Sequence, residues 1–316
     1  MRQNTFSSHD TRSSCIGANL LILAREELAL NRTRTDLQAA CVSSKQIVDA
    51  ISVDLTQPND VRQSPLPPTY PPTQPQLTIQ IDRVLAHYHP PDVLICTAGG
   101  IPDEPGFLAH LSPAAITACL EQNYYTAIFP VQACLQRWLA TPTPHSTRHI
   151  VLTSAAAALA SLPGYAAYTP VKAAVRALAD TLRQELLLYG RDTFRVHCAF
   201  PATFLGESFL RAHPTKPRLT KLLEGTDVPP QRLSDNVPAS REVARAIIRA
   251  LEAGKTYITV DSRTELMLNH MRGPSPRFWT LYDLLLGWLA IGFCWLWRVK
   301  ADRRVVQYGR ESGMER

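Results

Sequence analysis

The sequence predicts an α/β fold in which a parallel sheet is covered by helices on both faces. Short apolar segments alternate along the chain with longer stretches that have helical character. The short segments are apolar throughout, not at every second residue, which is typical of parallel strands buried on both faces. The chain has 316 residues and is 45% hydrophobic, so it is long enough for one large domain with a substantial core.

Each element follows from a local pattern. The continuous apolar runs predict strands at 18–24, 47–55, 91–100, 148–157, 194–202 and 256–260. The intervening segments predict helices at about 26–41, 77–89, 112–140, 165–189 and 240–254, the last between a serine cap and a glycine stop. Seven prolines between 58 and 76 predict a loop or an extended insertion there. We therefore expect a polar, disordered N-terminus over 1–15 and a single α/β domain over 16–272.

The C-terminal segment differs in composition. Residues 279–297, "WTLYDLLLGWLAIGFCWLW", contain Asp283 as their only charge and are rich in tryptophan, which suits a membrane interface. The uncharged part is short for a span and favours an interfacial or re-entrant helix. We expect a hydrophobic membrane-associated segment at 273–300 and a basic tail at 301–316. The alternative is a helix that packs on the core or on a second copy of the chain.

Charge and cysteine content exclude several classes of protein. The formal net charge is +6, but the basic residues are scattered and are not interleaved with aromatic ones, which argues against nucleic-acid binding. None of the seven cysteines forms a C-x-x-C pair, so we interpret them as reduced, mostly buried residues. His87 and His89 lack further ligand-type neighbours, and we predict no metal site.

One helical segment carries a candidate catalytic pair. In "GYAAYTPVKAA", Tyr168 and Lys172 are four residues apart and therefore share a helix face. A free tyrosine titrates near pH ~10, and a neighbouring ammonium favours its phenolate and lowers its pKa. Such a phenol suits a general acid that protonates a carbonyl oxygen while a hydride reaches the carbon. The spacing alone is a weak signal, because it also occurs by chance in ordinary helices.

The context of this pair resembles the short-chain dehydrogenase/reductase family, which has a Rossmann-like doubly wound parallel sheet. A strand ending in Ser154 precedes "LPGYAAYTPVK", and "EQNYYTA" supplies an asparagine, Asn123, on the preceding long helix. "DVLICTAGG" resembles the family's Asn-Ala-Gly turn, with Thr97 in place of the asparagine. The segments "TKPRLTKLLEGTD", "FPATFLGESF" and "MRGPSPR" are similar to those of fungal 3-ketodihydrosphingosine reductases.

The resemblance implies a set of site residues. Tyr168 would protonate the ketone, Lys172 would lower its pKa and bind the nicotinamide ribose, and Ser154 would hydrogen-bond the carbonyl. Asn123 would hold a proton-relay water, or it could simply satisfy buried backbone groups. Arg25 would pair with a ribose 2′-phosphate, which implies NADPH as cofactor. The other implied cofactor-binding residues are Asp54, Leu55, Ala98, Gly99, Pro201 and Thr203. Two of the implied residues also have a non-functional interpretation, Arg25 as a surface cation and Asp54 as a turn cap.

Two features depart from the family's pattern. Ser154 lies 14 residues before Tyr168, and Ala155 stands at the usual spacing of 13. Since a slip of one residue turns a strand side chain to the opposite face, either the following loop absorbs the difference or the carbonyl clamp is weakened. The chain also has no G-x-G-x-x-G motif, and Gly17 is its only glycine before Gly99. We therefore expect the first βα unit to be missing, as in a truncated gene model, a splice form or a degraded homologue.

Three functions remain open at this point. The first is NADPH-dependent reduction of a long-chain sphingoid-base ketone, 3-ketodihydrosphingosine, at the endoplasmic reticulum membrane with the catalytic domain facing the cytosol. The second is a catalytically impaired homologue that acts as a lipid-binding or scaffold protein, which the absent glycine motif favours. The third is a reductase for another apolar ketone of steroid or retinoid type. The membrane is an expected partner, nucleic acid is not, and self-association as a homo-oligomer stays open.

Overall fold

The computed structural model describes residues 18–56, 90–140 and 147–313, and it has the predicted alternation of parallel strands and helices in a Rossmann-like arrangement. Its strands are β1 (Leu20–Ala24), β2 (Val48–Ser52), β3 (Val93–Cys96), β4 (Arg148–Thr153), β5 (Phe194–Phe200) and β6 (Tyr257–Thr259). The expected N-terminal tail at 1–15, the proline-rich insertion at 58–76 and the helix at 77–89 with His87 and His89 lie outside the described residues.

The strands form two parallel sheets. β1 pairs with β2, and the second sheet has the order β3-β4-β5-β6. Among the described strands, β1, β2, β3 and β6 each have a partner on one side only. The smaller sheet still joins the main core, because Leu23 of β1 and Ile51 of β2 pack against it.

Ten α-helices occur in the described ranges, and they surround the strands. They are α1 (Glu27–Ala39), α2 (Pro113–Leu120), α3 (Thr126–Ala140), α4 (Tyr168–Glu185), α5 (Glu207–Ala212), α6 (Arg218–Glu224), α7 (Leu233–Asn236), α8 (Ser240–Glu252), α9 (Ser262–Met271) and α10 (Thr280–Glu311). A π-helical turn at Glu121–Tyr125 connects α2 to α3, so the predicted long helix over 112–140 is continuous but locally widened. The predictions from apolar patterns did not include α5, α6, α7 and α9.

The main core lies where the strands meet α3 and α4. Phe200, Ile150 and Leu152 are fully buried strand residues in it, and Val175 of α4 packs on them as part of the same cluster. Burial of such side chains stabilises the fold by roughly 1.5–3 kcal/mol each. β3, β4 and β5 end before the strands that the sequence predicted at these places. The apolar residues that follow them belong to loops, and these loops line a cavity.

The C-terminal helix α10 differs from the expected short segment. It runs on through the basic residues to Glu311 and is about 48 Å long at 1.5 Å per residue. Asp283, Ala290 and Ala301 are its buried residues, and Gly287 packs closely on the backbone of Asn269 in α9. By length and composition α10 can cross a membrane, and only 11% of its most apolar stretch is buried in the protein. It is therefore a candidate for membrane association.

Candidate active site

Tyr168 and Lys172 lie together in the first turns of α4, as the sequence predicts. Both are buried, and the Lys172 ammonium is 5.7 Å from the centroid of the Tyr168 ring. Lys172 Nζ also donates a hydrogen bond to the carbonyl oxygen of Thr153 at the end of β4, at 3.1 Å. The helix thus holds a phenol and an ammonium next to the carboxyl end of a central strand.

The protonation of this pair differs from the expectation that Lys172 lowers the pKa of Tyr168. Burial raises the pKa of Tyr168 above its usual value, and the neighbouring Cys119 and Glu224 raise it further. Burial also lowers the pKa of Lys172 to about 8, against the opposing influence of Cys119 and Cys198. Desolvation of the charged form is the largest cause of both shifts. The phenol is therefore protonated at neutral pH, as a proton donor must be.

Ser154 follows β4 and points its hydroxyl at the backbone of α4. Its Oγ donates to the carbonyl oxygen of Lys172 at 2.7 Å, and the side chain is buried. Ala155, the residue at the family's usual spacing, packs in one apolar cluster with Tyr165 and Tyr168. The hydroxyl proton of Ser154 is thus engaged with the helix backbone, while a methyl group lies beside the tyrosines.

Asn123 ties the turn after β3 to the π-helical turn. Its Oδ1 accepts from the backbone N–H of Gly100 at 2.8 Å, and its Nδ2 donates to the carbonyl oxygen of Cys119 at 3.0 Å. Gly99 adopts a φ of +117°, and a Cβ there would lie 2.7 Å from the Gln122 carbonyl oxygen. Only glycine fits this close approach without strain. Asn123 therefore satisfies buried backbone groups, and its implied role in holding a water stays a prediction.

A single cavity joins most of these residues. Its volume is about 450 Å³, and its lining is mostly apolar. Of the residues expected in the site, it is lined by Ala98, Gly99, Ser154, Tyr168, Lys172, Pro201 and Thr203. They come from the loops after β3, β4 and β5 and from the start of α4. Parallel strands bring their carboxyl ends to one edge of a sheet, where open α/β folds bind their ligands.

Three expected cofactor-binding residues lie outside the lining of this cavity. Arg25 is exposed directly after β1, and its carbonyl oxygen accepts a hydrogen bond from Ser52 Oγ at 3.0 Å. The Asp54 carboxylate accepts hydrogen bonds from the backbone N–H and the hydroxyl of Thr56, which makes it a turn cap. Leu55 is buried in the main core. These residues follow the ends of β1 and β2.

A polar cluster that patterns in the sequence did not predict contributes Tyr165 and Glu224 to the cavity lining. We call Tyr165, Lys216, Glu224 and Thr226 the Glu224 cluster. The Tyr165 hydroxyl donates to Glu224 Oε1, and Lys216 Nζ contacts Glu224 Oε2 at 2.7 Å in a buried ion pair. The one indication in the sequence is that Lys216, Glu224 and Thr226 lie in the segment "TKPRLTKLLEGTD", which is similar to a segment of fungal 3-ketodihydrosphingosine reductases.

The apolar helix α10 also reaches the cavity. Trp297 lines it, and Phe293, Cys294 and Trp297 pack against the main core. Among the residues that the structure describes, no group of three or more His, Cys, Asp or Glu side chains could hold a metal ion. The arrangement therefore offers a buried phenol, an ammonium and a mostly apolar cavity to which α10 contributes Trp297.

Comparisons with known proteins agree with this geometry. A family model described as "short chain dehydrogenase" matches residues 73–213. The chain is 32% identical over 299 residues to 3-ketodihydrosphingosine reductase ksrA of Aspergillus fumigatus, covering 87% of this chain and 73% of that protein. It is 31% identical to the PIGF/3-ketodihydrosphingosine reductase fusion protein of Schizosaccharomyces pombe, covering 94% of this chain and 53% of that protein. The chain thus spans about half of the length of the fusion protein.

Solved structures share the fold at lower identity. A short-chain dehydrogenase from Sphingobium yanoikuyae in complex with NADPH has a TM-score of 0.59 at 18% identity, covering 80% of this chain and 82% of that one. A 3-oxoacyl-[acyl-carrier protein] reductase from Brucella melitensis in complex with NAD has a TM-score of 0.60 at 20% identity, covering 82% and 92%. At this identity the likeness concerns the fold.

Proposed function

The chain belongs to the short chain dehydrogenase family, and from this premise we propose that it reduces 3-ketodihydrosphingosine to dihydrosphingosine with NADPH. The observation that carries the proposal is the buried pair of Tyr168 and Lys172 in the wall of an apolar cavity. Relatives that bear the name 3-ketodihydrosphingosine reductase support the choice of substrate.

In this reaction Tyr168 acts as the general acid. The ketone carbon gains a hydride and its oxygen gains the phenolic proton, so the C=O double bond becomes a secondary alcohol. Because burial keeps Tyr168 protonated, the proton is available when the oxygen develops negative charge. Lys172 lies beside the phenol and stabilises the phenolate that is left behind. Ser154 lines the same cavity, and we propose that its hydroxyl turns from the Lys172 carbonyl oxygen and donates to the ketone oxygen when substrate is bound.

The residues present fit the nicotinamide half of a dinucleotide. Lys172 would supply donors for ribose hydroxyls, and Pro201 and Thr203 line the same cavity. When bound, the cofactor supplies the hydride. Arg25 is exposed after β1, where a guanidinium suits a ribose 2′-phosphate, and this supports NADPH over NADH. We propose Asp54, Leu55, Ala98 and Gly99 as further contacts around the cofactor.

The apolar helix supports a lipid substrate and a membrane location. One stripe of α10 packs on the protein, and Trp297 on that side lines the cavity. The opposite side exposes Leu285, Trp288 and Leu289, which are more than half exposed at 57%, 72% and 62%. A long-chain ketone could pass from a bilayer to the cavity along this helix. We propose the endoplasmic reticulum membrane, with the catalytic domain in the cytosol where NADPH is available.

The test is turnover by the purified chain in lipid–detergent micelles. Mass spectrometry should detect dihydrosphingosine from 3-ketodihydrosphingosine with NADPH, and less with NADH. A panel of shorter ketones and a steroid ketone should be poorer substrates. Faster reduction of the steroid would favour a different apolar ketone. Absence of turnover together with absence of NADPH binding in calorimetry would instead support a lipid-binding homologue without activity.

A further inference from the structure

The carboxylate of Glu224 lies between a buried cation and the cavity. Lys216 Nζ pairs with its Oε2 at 2.7 Å, and the exposed fractions of the two side chains are 0% and 6%. Glu224 and Tyr165 line the cavity, whereas Lys216 does not. Lys216 therefore stands behind the carboxylate, and the cavity lies in front of it.

The fold holds this carboxylate close to the proton donor. Thr220 of α6 is fully buried and donates to the Pro163 carbonyl oxygen at 2.7 Å, which docks α6 on the segment that leads into α4. Gly164 has a φ of +91°, and a Cβ there would collide with Thr220. Glu224 is the last residue of α6, and its partner Tyr165 has its ring centroid 5.5 Å from that of Tyr168.

The partners of Glu224 leave part of its hydrogen-bonding capacity unused. Within the described residues, Oε2 accepts from Lys216 and, at 3.4 Å, from Thr226, while Oε1 accepts from Tyr165. A carboxylate has about four acceptor sites, so Oε1 can accept one more hydrogen bond. Burial raises the pKa of Tyr165 and Glu224 adds to this effect, so the hydroxyl remains a donor that holds the carboxylate in place.

We propose that Glu224 binds the ammonium group that the substrate carries on the carbon next to its ketone. The inference rests on the proposed function, because the named lipid is a 2-amino ketone. An amine of this kind is largely protonated at neutral pH and needs an anionic or acceptor partner where water is excluded. With the ketone oxygen at Tyr168, the adjacent amino group would face the Glu224 side of the cavity.

The other acidic residues that line the cavity are worse placed for this role. Asp261 accepts hydrogen bonds from the N–H and the hydroxyl of Thr264 and caps α9. Glu207 is the first residue of α5. Glu224, by contrast, accepts a hydrogen bond from Tyr165, whose ring centroid is 5.5 Å from that of Tyr168.

A purely structural ion pair is the competing explanation. Buried ion pairs can often be replaced by apolar residues without loss of stability, so Lys216 and Glu224 need not be present for folding alone. A structural pair would contribute equally to binding of any lipid of this shape. A substrate-binding carboxylate would discriminate between an amine and an uncharged group at the same carbon. The experiment therefore compares two ligands.

The experiment measures binding of dihydrosphingosine and of the same lipid with a hydroxyl in place of its amino group. Binding to the full chain is followed by tryptophan fluorescence in identical mixed micelles, so neither cofactor nor turnover is needed. We expect the wild-type protein to prefer the amine by about tenfold or more, as for a hydrogen bond between charged groups. Glu224→Gln should reduce this preference to near unity. Glu207→Gln, at the same cavity, should keep it.

A second variant distinguishes loss of the carboxylate from a folding defect. Glu224→Gln leaves the Lys216 charge buried without its partner, whereas the double variant Lys216→Met/Glu224→Gln removes both charges. The double variant should also lose the amine preference while binding the hydroxyl lipid as the wild-type protein does. A preference that survives in both variants, or a wild-type protein that binds neither lipid or binds both equally, overturns the inference. Turnover of 3-ketodihydrosphingosine is scored separately, so a failure of the proposed function is distinguishable.

Discussion

At the scale of single residues, burial controls the chemistry of the site more than pairwise charge does. Tyr168 and Lys172 are in one helical turn, yet each is shifted toward its neutral form. Desolvation acts on both groups because both side chains are buried at the start of α4, in the wall of the cavity. The phenol is therefore protonated at neutral pH and lies beside a lysine whose pKa is about 8.

The lowered pKa of Lys172 predicts a pH dependence of stability. Its pKa is 10.5 in the unfolded chain and about 8 in the folded one. Below pH 8 both states carry the charge, and the folded state bears the desolvation cost. As the pH rises from 8 to 10.5, the folded protein releases this proton first and gains stability. The free energy of unfolding of the wild-type protein should therefore rise relative to that of Lys172→Met, by roughly 3 kcal/mol at most.

Chemical unfolding in detergent at several pH values checks this prediction. Lys45→Met, at an exposed position, serves as the control and should track the wild-type protein across the range. A constant difference between the wild-type protein and Lys172→Met from pH 7.5 to 10.5 would show that Lys172 is not desolvated in the folded state.

At the scale of elements, a buried ion pair fixes the start of α10. Arg272 Nη1 contacts Asp283 Oδ2 at 2.6 Å, and both side chains are 6% exposed. The same carboxylate oxygen accepts from the backbone N–H of Phe278, and Arg272 also donates to the Pro276 carbonyl oxygen. The single charge of the apolar segment thus attaches the start of the helix to the residue that directly follows α9.

Asp283→Asn should loosen this attachment. It leaves the Arg272 charge buried without a partner, a change that typically costs about 3–5 kcal/mol. We expect a lower melting temperature in detergent and faster proteolysis near the start of α10. Asp302→Asn is the matched control, because the pair of Arg298 and Asp302 on the same helix is exposed. Equal effects of the two substitutions would contradict an anchoring role for Asp283.

The strands and longer helices were predictable from the sequence, whereas the short helices and the Glu224 cluster were not. β1 to β6 lie within largely apolar runs, and α1, α4 and α8 have lengths that periodicity can detect. α5 and α6 have six and seven residues, too few for a clear period, and tertiary contacts such as that of Thr220 with Pro163 hold α6 in place. The contact of Glu224 with Tyr165 joins residues 59 positions apart, which no local pattern encodes.

Within the site, local patterns predicted which residues take part, whereas features that depend on tertiary contacts were not predicted. Residues after β3, β4 and β5 were expected in the site, and these loops line one cavity. The direction of the pKa shift of Tyr168 was wrong, because spacing reveals the neighbouring cation but not the depth of burial. The hydrogen bond of Ser154 to the Lys172 carbonyl also depends on how α4 docks on β4, which the sequence alone does not specify.

At the scale of the whole molecule, α10 presents an apolar surface opposite its packed side. Leu281, Leu285, Trp288 and Trp295 recur at helical spacing and are all more than half exposed. A soluble monomer rarely exposes a contiguous apolar stripe of this kind, and tryptophan is favoured at membrane interfaces. The surface is therefore suited to insertion into a bilayer beside the cavity.

Charge on this surface should weaken membrane binding. The double variant Trp288→Glu/Leu289→Glu should shift the protein from floated vesicles to the soluble fraction by about 100-fold in partition, since two large apolar side chains are lost from the bilayer. Leu28→Glu, at an exposed leucine of α1, is the matched control and should float like the wild-type protein. Unchanged flotation of the double variant would exclude α10 as the membrane-binding element.

The central claim is that Tyr168 donates the proton that completes reduction of a long-chain amino ketone. The most direct measurement is the rate of dihydrosphingosine formation by the wild-type protein and by Tyr168→Phe with saturating NADPH, with binding of the lipid product followed in parallel. Loss of the phenol should lower the rate by about 100-fold or more and leave lipid binding within twofold. A Tyr168→Phe protein that forms product at the wild-type rate would contradict the account.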